Sequence, residues 1–122
     1  MPTARGRLGD WGEGVAGRFL QGKGYQILET KYRCTWGEVD IVARDGDELV
    51  FVEVRTRRDT KYGTPEESVT RTKARRLILT AQDYIQRHAD SNAGWRIDLV
   101  AIRLDRRRRV LAISHHWHAV EG

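Results

Sequence analysis

The sequence predicts an α/β domain, a central mixed five-stranded sheet flanked by helices. The first observation behind this is the order of hydrophobic patterns along the chain: helix, three strands, helix, two strands. The second is the stretch at 37–57, GEVDIVARDGDELVFVEVRTR, both halves of which place apolar residues on both strand faces. A strand pair that is apolar on both faces needs cover on both sides, which helices above and below a mixed sheet supply. The third is length. A chain of 122 residues makes a single domain, 1–122, and can bury a core without staples.

The first helix is expected over about 11–23. Asp10 stands as its cap, Glu13 three residues on as the capping-box partner, and Gly24 as its stop. Val15, Ala16, Phe19 and Leu20 form an apolar stripe, and Gly12 falls within it, permitting close approach to the layer beneath. YQILETKYR at 25–33 reads as a strand. The hairpin follows, with Asp45, Gly46 and Asp47 supplying its turn. The second helix opens with Thr64 as cap, Pro65 in the first position and Glu67 closing a capping box. It runs to about His88, with Val69, Leu77, Ala81, Tyr84 and Ile85 on one face. WRIDLVAIRL and RVLAISHHWHAV are the last strands, joined by an arginine-rich tip.

Composition, 39% hydrophobic and 32% charged, is that of a soluble globular protein. No apolar run approaches the roughly 20 residues that span a bilayer, and the N-terminus lacks the apolar stretch of a secretory signal. Cys34 is the only cysteine, which excludes an internal disulfide and suits a cytoplasmic location. A net charge of +5 favours an anionic partner, nucleic acid first.

Asp40, Glu53 and Arg55 interrupt the apolar hairpin. If its turn is Asp45-Gly46, Glu38 opposes Glu53; if it is Gly46-Asp47, Asp40 opposes Glu53 directly. Strict alternation puts Asp40 and Glu53 on one face in either register, with Glu38, Arg55, Val42, Leu49 and Phe51. Opposed Cβ atoms lie about 4.5–5.5 Å apart, and two carboxylates so placed can share a hard divalent cation. A solvent-facing surface and an Arg55 salt bridge to Glu53 or Glu38 are the competing readings. Apolar neighbours on the same face argue against the former, because unpaired buried carboxylates are costly.

The pattern D…E-x-R on adjacent strands resembles the PD-(D/E)xK signature of restriction-endonuclease-like nucleases. The chain as a whole resembles the YraN family of bacterial proteins. The matching segments are GDWGEGVAGRFLQGKGYQIL, GEVDIVARDGDELVFVEVRTR, SVTRTKARRL with Ala81, and RIDLVAI, in order along nearly the whole chain. Archaeal Holliday-junction resolvases are more distantly similar and carry an equivalent helix glutamate. The resemblance implies a restriction-endonuclease-like fold and Mg2+- or Mn2+-dependent hydrolysis of phosphodiester bonds in nucleic acid. DNA is expected before RNA, structured or branched DNA included, and a homodimer is a family-level expectation. By the same resemblance Asp40 and Glu53 hold the metal, the Val54 carbonyl is a further ligand, and Glu13 approaches the same centre. Glu13 reads equally well as a capping residue.

Two positions depart from the signature. Val39 stands where proline would be, which removes no ligand. Arg55 replaces the lysine, and arginine stays charged in proteins, so it cannot serve as a general base. It can neutralise charge developing on a phosphate. A non-catalytic nucleic-acid-binding module retaining the nuclease fold is therefore the alternative.

Lys73 lies four residues from both Val69 and Leu77, so it either snorkels past the core or reaches toward the acidic sheet face as a stand-in for the missing lysine. Arg71 and Arg75, with Arg57, Arg58 and Lys61, form a candidate phosphate-tracking surface. HHWH at 115–118 lacks the cysteines or spaced second pair of a zinc site. RRRR at 106–109 is expected at an exposed hairpin tip. Trp11, Trp36, Trp95 and Trp117 are each expected in core or edge packing, with base stacking as the competing role.

Overall fold

A computed structural model describes residues 4–58, 69–88 and 94–120, with the backbone alone for 4–8. The elements run α1 (Ala4–Gly22), β1 (Gln26–Cys34), β2 (Gly37–Asp45), β3 (Glu48–Arg57), α2 (Arg71–His88), β4 (Trp95–Leu104) and β5 (Val110–Val120). The strands form one five-stranded sheet in the order β1-β2-β3-β4-β5. Only β3 and β4 pair in parallel, with α2 between them in the chain; the other neighbours are antiparallel. This is the expected mixed α/β architecture, consistent with a restriction-endonuclease-like fold.

Each face of the sheet carries its own core. Ala16 and Leu20 of α1 pack with Ile41, Ala43, Val50 and Val52. Leu77, Ala81 and Tyr84 of α2 pack with Val42, Leu49 and Phe51 on the other side. Alternate residues of β3 thus enter opposite cores, which is why the hairpin is apolar on both faces. Gly12 acts as the sequence suggests. A Cβ there would stand 2.4 Å from Thr56 Oγ1, so only glycine lets α1 settle this close to β3.

Helix boundaries differ from expectation at both N-termini. α1 begins at Ala4, so Asp10 lies inside the helix and pairs with Lys31 instead of capping. Ala4, Arg5, Arg7 and Leu8 are good helix formers, and Gly6 and Gly9 each cost only about 1 kcal/mol relative to alanine. The stop falls where expected. Gly24 has φ 93, Tyr25 N–H donates to Leu20 O at 3.1 Å, and Gly24 N–H donates to Gln21 O at 2.9 Å. This is a Schellman closure, sealed by burial of Tyr25 and Leu20 in one cluster. α2 starts at Arg71, with Val69 and Thr70 non-helical before it. Its cap is Thr70, whose Oγ1 accepts from Lys73 N–H at 3.2 Å. Thr64, Pro65 and Glu67 lie outside the described residues.

The β2–β3 turn takes the second of the two registers. Asp45 pairs with Glu48 and Val42 with Phe51, which leaves Gly46-Asp47 as the loop. Gly46 has φ 61 in the first central position, where a type II′ turn requires it. Near this end a buried network ties the sheet together. Arg96 lies between Asp98 and Glu48, its Nη2 donating to Tyr25 Oη at 2.7 Å. Asp98 Oδ2 meets His115 Nε2 at 2.7 Å, and the guanidinium carbon lies 4.0 Å from the Trp117 ring centroid. His115 is therefore committed to the fold.

The two sheet edges differ in charge. β1 exposes Glu29, Lys31 and Arg33, is bulged between Ile27 and Glu29, and holds Lys31 at φ 54. β5 carries no Lys, Arg, Asp, Glu or Pro, yet exposes Val110, Leu111 and Trp117. Its pairing with β4 is regular across 112–116 but shifts register on either side, and His118 takes φ 52. The arginines of the β4–β5 turn are exposed as expected, and Asp105 caps the turn by accepting from Arg107 N–H and Arg109 N–H.

Candidate active site

Asp40 sits where β2 breaks its alternation. Val39 packs with Val42 in the α2 core while Ile41 packs in the α1 core, although residues two apart on a regular strand share a face. The cause lies across the ladder. Thr30 pairs with Ile41 and Tyr32 with Val39, and the intervening Lys31 takes a positive φ opposite Asp40. β2–β3 pairing runs only as far as Ile41 and Val52. Beyond that point Asp40 Oδ2 accepts from Val54 N–H at 2.7 Å, so the carboxylate stands in the plane of the sheet where a backbone carbonyl would otherwise be.

From that position Asp40 faces α1. Oxygens of Glu13, Glu38 and Asp40 all lie within 4.8 Å of one another, the one such acidic trio among the described residues. Glu13 is placed there by the close seat of α1 at Gly12, and because α1 starts at Ala4 it lies inside the helix and does not cap it, which corrects the capping reading. Burial drives the Asp40 carboxyl up to about 7; the Val54 amide opposes the shift and the Glu13 charge adds to it. Glu13 is raised as well, chiefly by burial, with the Lys31 ammonium opposing at 3.9 Å.

Glu53 meets α2 instead. Its Oε1 lies 3.1 Å from Lys73 Nζ and 3.3 Å from Arg55 Nη2, and the residue is only 7% exposed. Burial pushes its carboxyl up to about 8, Asp40's charge adds to that, and Arg55 opposes it. The expectation that Asp40, Glu38 and Glu53 share one face with Phe51 is thus corrected. Asp40 and Glu38 turn toward α1 at the Lys31 irregularity, while Glu53 meets the α2 side, close enough to feel Asp40's charge. Lys73 does not snorkel. It reaches Glu53, and the Arg55–Glu53 salt bridge forms too. Arg55 Nε is buried without a hydrogen-bond partner.

The basic residues fall around this centre to different degrees. Arg57 and Arg58 follow the acids at the end of β3, and Arg71 and Arg75 are exposed at the start of α2, the helix that carries Lys73. Lys61 lies outside the described residues. The histidines at 115–118 join no metal-holding group among the described residues. Trp95 packs against Phe51 as expected, but Trp11, Trp36 and Trp117 are exposed. Glu38 is the site acid that spacing placed least well, because its position depends on the break at Asp40.

Three carboxylates this close repel one another unless protons or a cation intervene. The donor set is all oxygen, the set that magnesium and manganese prefer. The trio's oxygens lie within 4.8 Å of one another, whereas neighbouring ligands of an octahedral magnesium lie about 3 Å apart and opposite ones about 4.2 Å, so a shared ion would draw these carboxylates inward. Lys73 and Arg55 supply fixed positive charge beside the acids, suited to an approaching phosphate.

The profile of the family described as Uncharacterised protein family UPF0102 matches residues 12–102. A UPF0102 protein of Roseiflexus castenholzii is 49% identical over 122 residues, covering 99% of this chain and 98% of its own. One from Moorella thermoacetica is 45% identical, covering 93% of this chain and 95% of its own. One from Chloroflexus aurantiacus is 41% identical, covering 98% of each.

Proposed function

The chain belongs to uncharacterised protein family UPF0102, also known as YraN, and we propose that it is a divalent-metal-dependent nuclease hydrolysing phosphodiester bonds in nucleic acid. The observation that carries this reading is the trio of Glu13, Glu38 and Asp40 beside buried Glu53, an acid-rich centre inside a basic protein. Asp40, Glu13 and Glu38 would hold Mg2+ or Mn2+ with the Val54 carbonyl, and Glu53, outside the trio and paired with Lys73 and Arg55, would join the set only by turning from those partners. Bound there, the ion would lower the pKa of a water and offset charge on the scissile phosphate, so no protein base is required. Arg55 and Lys73 pair with Glu53 and would offset charge developing on a bound phosphate. Arg57, Arg58, Lys61, Arg71 and Arg75 draw the backbone in, since acids alone would repel it.

Arg55 in the lysine position favours a second reading, a non-catalytic nucleic-acid-binding module on the same fold. One assay separates the two. Purified wild type and Glu53→Gln are incubated with DNA and RNA substrates in Mg2+ or Mn2+. Cleavage by wild type alone supports the nuclease. Equal cleavage by both indicates contamination, and binding without cleavage across the panel selects the module.

A further inference from the structure

We infer that the cleft beside Trp36 holds an unpaired nucleobase of the substrate strand. The inference rests on the nucleic-acid reading above and narrows its substrate to single-stranded or frayed strands. Trp36 stands in the two-residue loop between Cys34 and Gly37, 51% exposed, although tryptophan is usually well buried. The loop leans on α2: a Cβ on Gly37 would lie 3.5 Å from Thr80 Oγ1 and 3.8 Å from Arg76 Cβ. Trp117 has Arg96 over its ring, whereas no described ring or cation covers Trp36.

The cleft here measures about 510 Å3 and is lined by Trp36, Arg33, Cys34, Thr35, Glu38 and Arg76. Two of its residues connect it to the acidic centre. Glu38 belongs to the carboxylate trio. Arg76 lies three residues after Lys73 on α2, so the two are neighbours on the helix surface, and Lys73 holds Glu53. An indole face with guanidinium groups at its side is the surface on which free bases stack. Bases inside a duplex are already stacked on their neighbours, so this face selects a nucleotide outside the helix. Arg33 is held to Glu38 at 3.1 Å, which leaves Arg76 as the cation for the flanking phosphate.

The test is fluorescence anisotropy at low salt in Ca2+ with a labelled single strand, a blunt duplex and a duplex bearing a single-stranded flap. Wild type is compared with Trp36→Ala and Trp36→Phe, each checked for an unchanged melting temperature. Trp36→Ala is expected to weaken single-strand and flap binding roughly tenfold and to leave the blunt duplex unchanged. Trp36→Phe keeps a stacking face and should retain most of the affinity. Equal single-strand affinity of Trp36→Ala and wild type overturns the inference, as does an equal loss on the blunt duplex. If wild type still cleaves in Mg2+ in those cases, the nuclease reading stands and this one alone falls. If wild type binds none of the three probes, the nucleic-acid reading falls and takes this inference with it. Selective loss in Trp36→Ala with no cleavage by wild type supports the cleft on the binding-module reading.

Discussion

Asp40 answers to two demands: it replaces a ladder carbonyl for Val54 N–H and it belongs to a carboxylate trio. The first requires an acceptor, which asparagine also supplies. The second requires negative charge, which asparagine lacks. Asp40→Asn should therefore fold yet abolish saturable divalent binding in a calorimetric titration; retained binding would remove Asp40 from the metal set. The pH dependence follows from the raised carboxyls. Asp40 and Glu53 rise from 3.8 and 4.5 to about 7 and about 8 in the folded chain. Between those limits the native state binds more protons than the unfolded state, so the contribution to stability is full below about pH 4 and lost as pH passes 7 to 8. In EDTA the melting temperature should fall by a few degrees between pH 5 and pH 8.5, and Mg2+ should restore more of it at pH 8.5. A profile that Asp40→Asn does not flatten would assign the dependence elsewhere. Arg55→Lys should preserve or raise cleavage in a rate assay, because the charge beside Glu53 is kept and the lysine of the PD-(D/E)xK signature returns. Asp40 and Glu53 were legible as charges inside an apolar pattern. The arrangement around them was not, because it turns on a positive φ at Lys31, and nothing about a lysine in a strand announces that.

At the scale of elements, the site depends on how closely a helix sits on a strand. Gly12 and Gly9 both lie in α1, but a Cβ at 12 would strike Thr56 while one at 9 meets nothing within 4 Å. Gly12→Ala should destabilise by about 1–3 kcal/mol through overpacking and should impair metal binding by displacing Glu13. Gly9→Ala should be neutral or stabilise by about 0.5–1 kcal/mol, since it only removes helix-interior glycine. Thermal melts of both variants check this, and equal effects would refute the contact argument. The glycine was readable because it lies on the apolar stripe of its helix. Helix starts were less so. For α1 the capping-box pair Asp10 and Glu13 is present in sequence, but tertiary contacts take both, Lys31 for one and Asp40 for the other. For α2 the described start is capped by Thr70, one of several threonines in TPEESVTRT that can serve as a cap.

At the scale of the whole molecule, the described residues have a tied end and an end where the ladder stops. Around Arg96 and Asp98 the strands are locked by buried ion pairs; around Asp40 the β2–β3 ladder stops and carboxylates crowd. No helix among the described residues is long and apolar enough to cross a membrane. With a net charge of +5, binding to nucleic acid should weaken steeply as salt rises, the logarithm of the affinity falling linearly with that of the salt concentration. The unequal edges of the sheet have a different consequence. An uncharged edge strand is a template for another strand, and the copy most often at hand is the same chain. Antiparallel pairing of β5 with its own copy about a two-fold axis would join two five-stranded sheets into one and keep the two arginine tips at opposite ends of the seam. Like net charges on the two copies then oppose association, so added salt should tighten the dimer while it loosens nucleic acid. Light scattering at rising salt is expected to show wild type as a dimer and Leu111→Lys as a monomer. A dimer that tolerates Leu111→Lys would be joined elsewhere. The charged β1 would leave such a pair with two protected outer edges, so assembly would end at two copies.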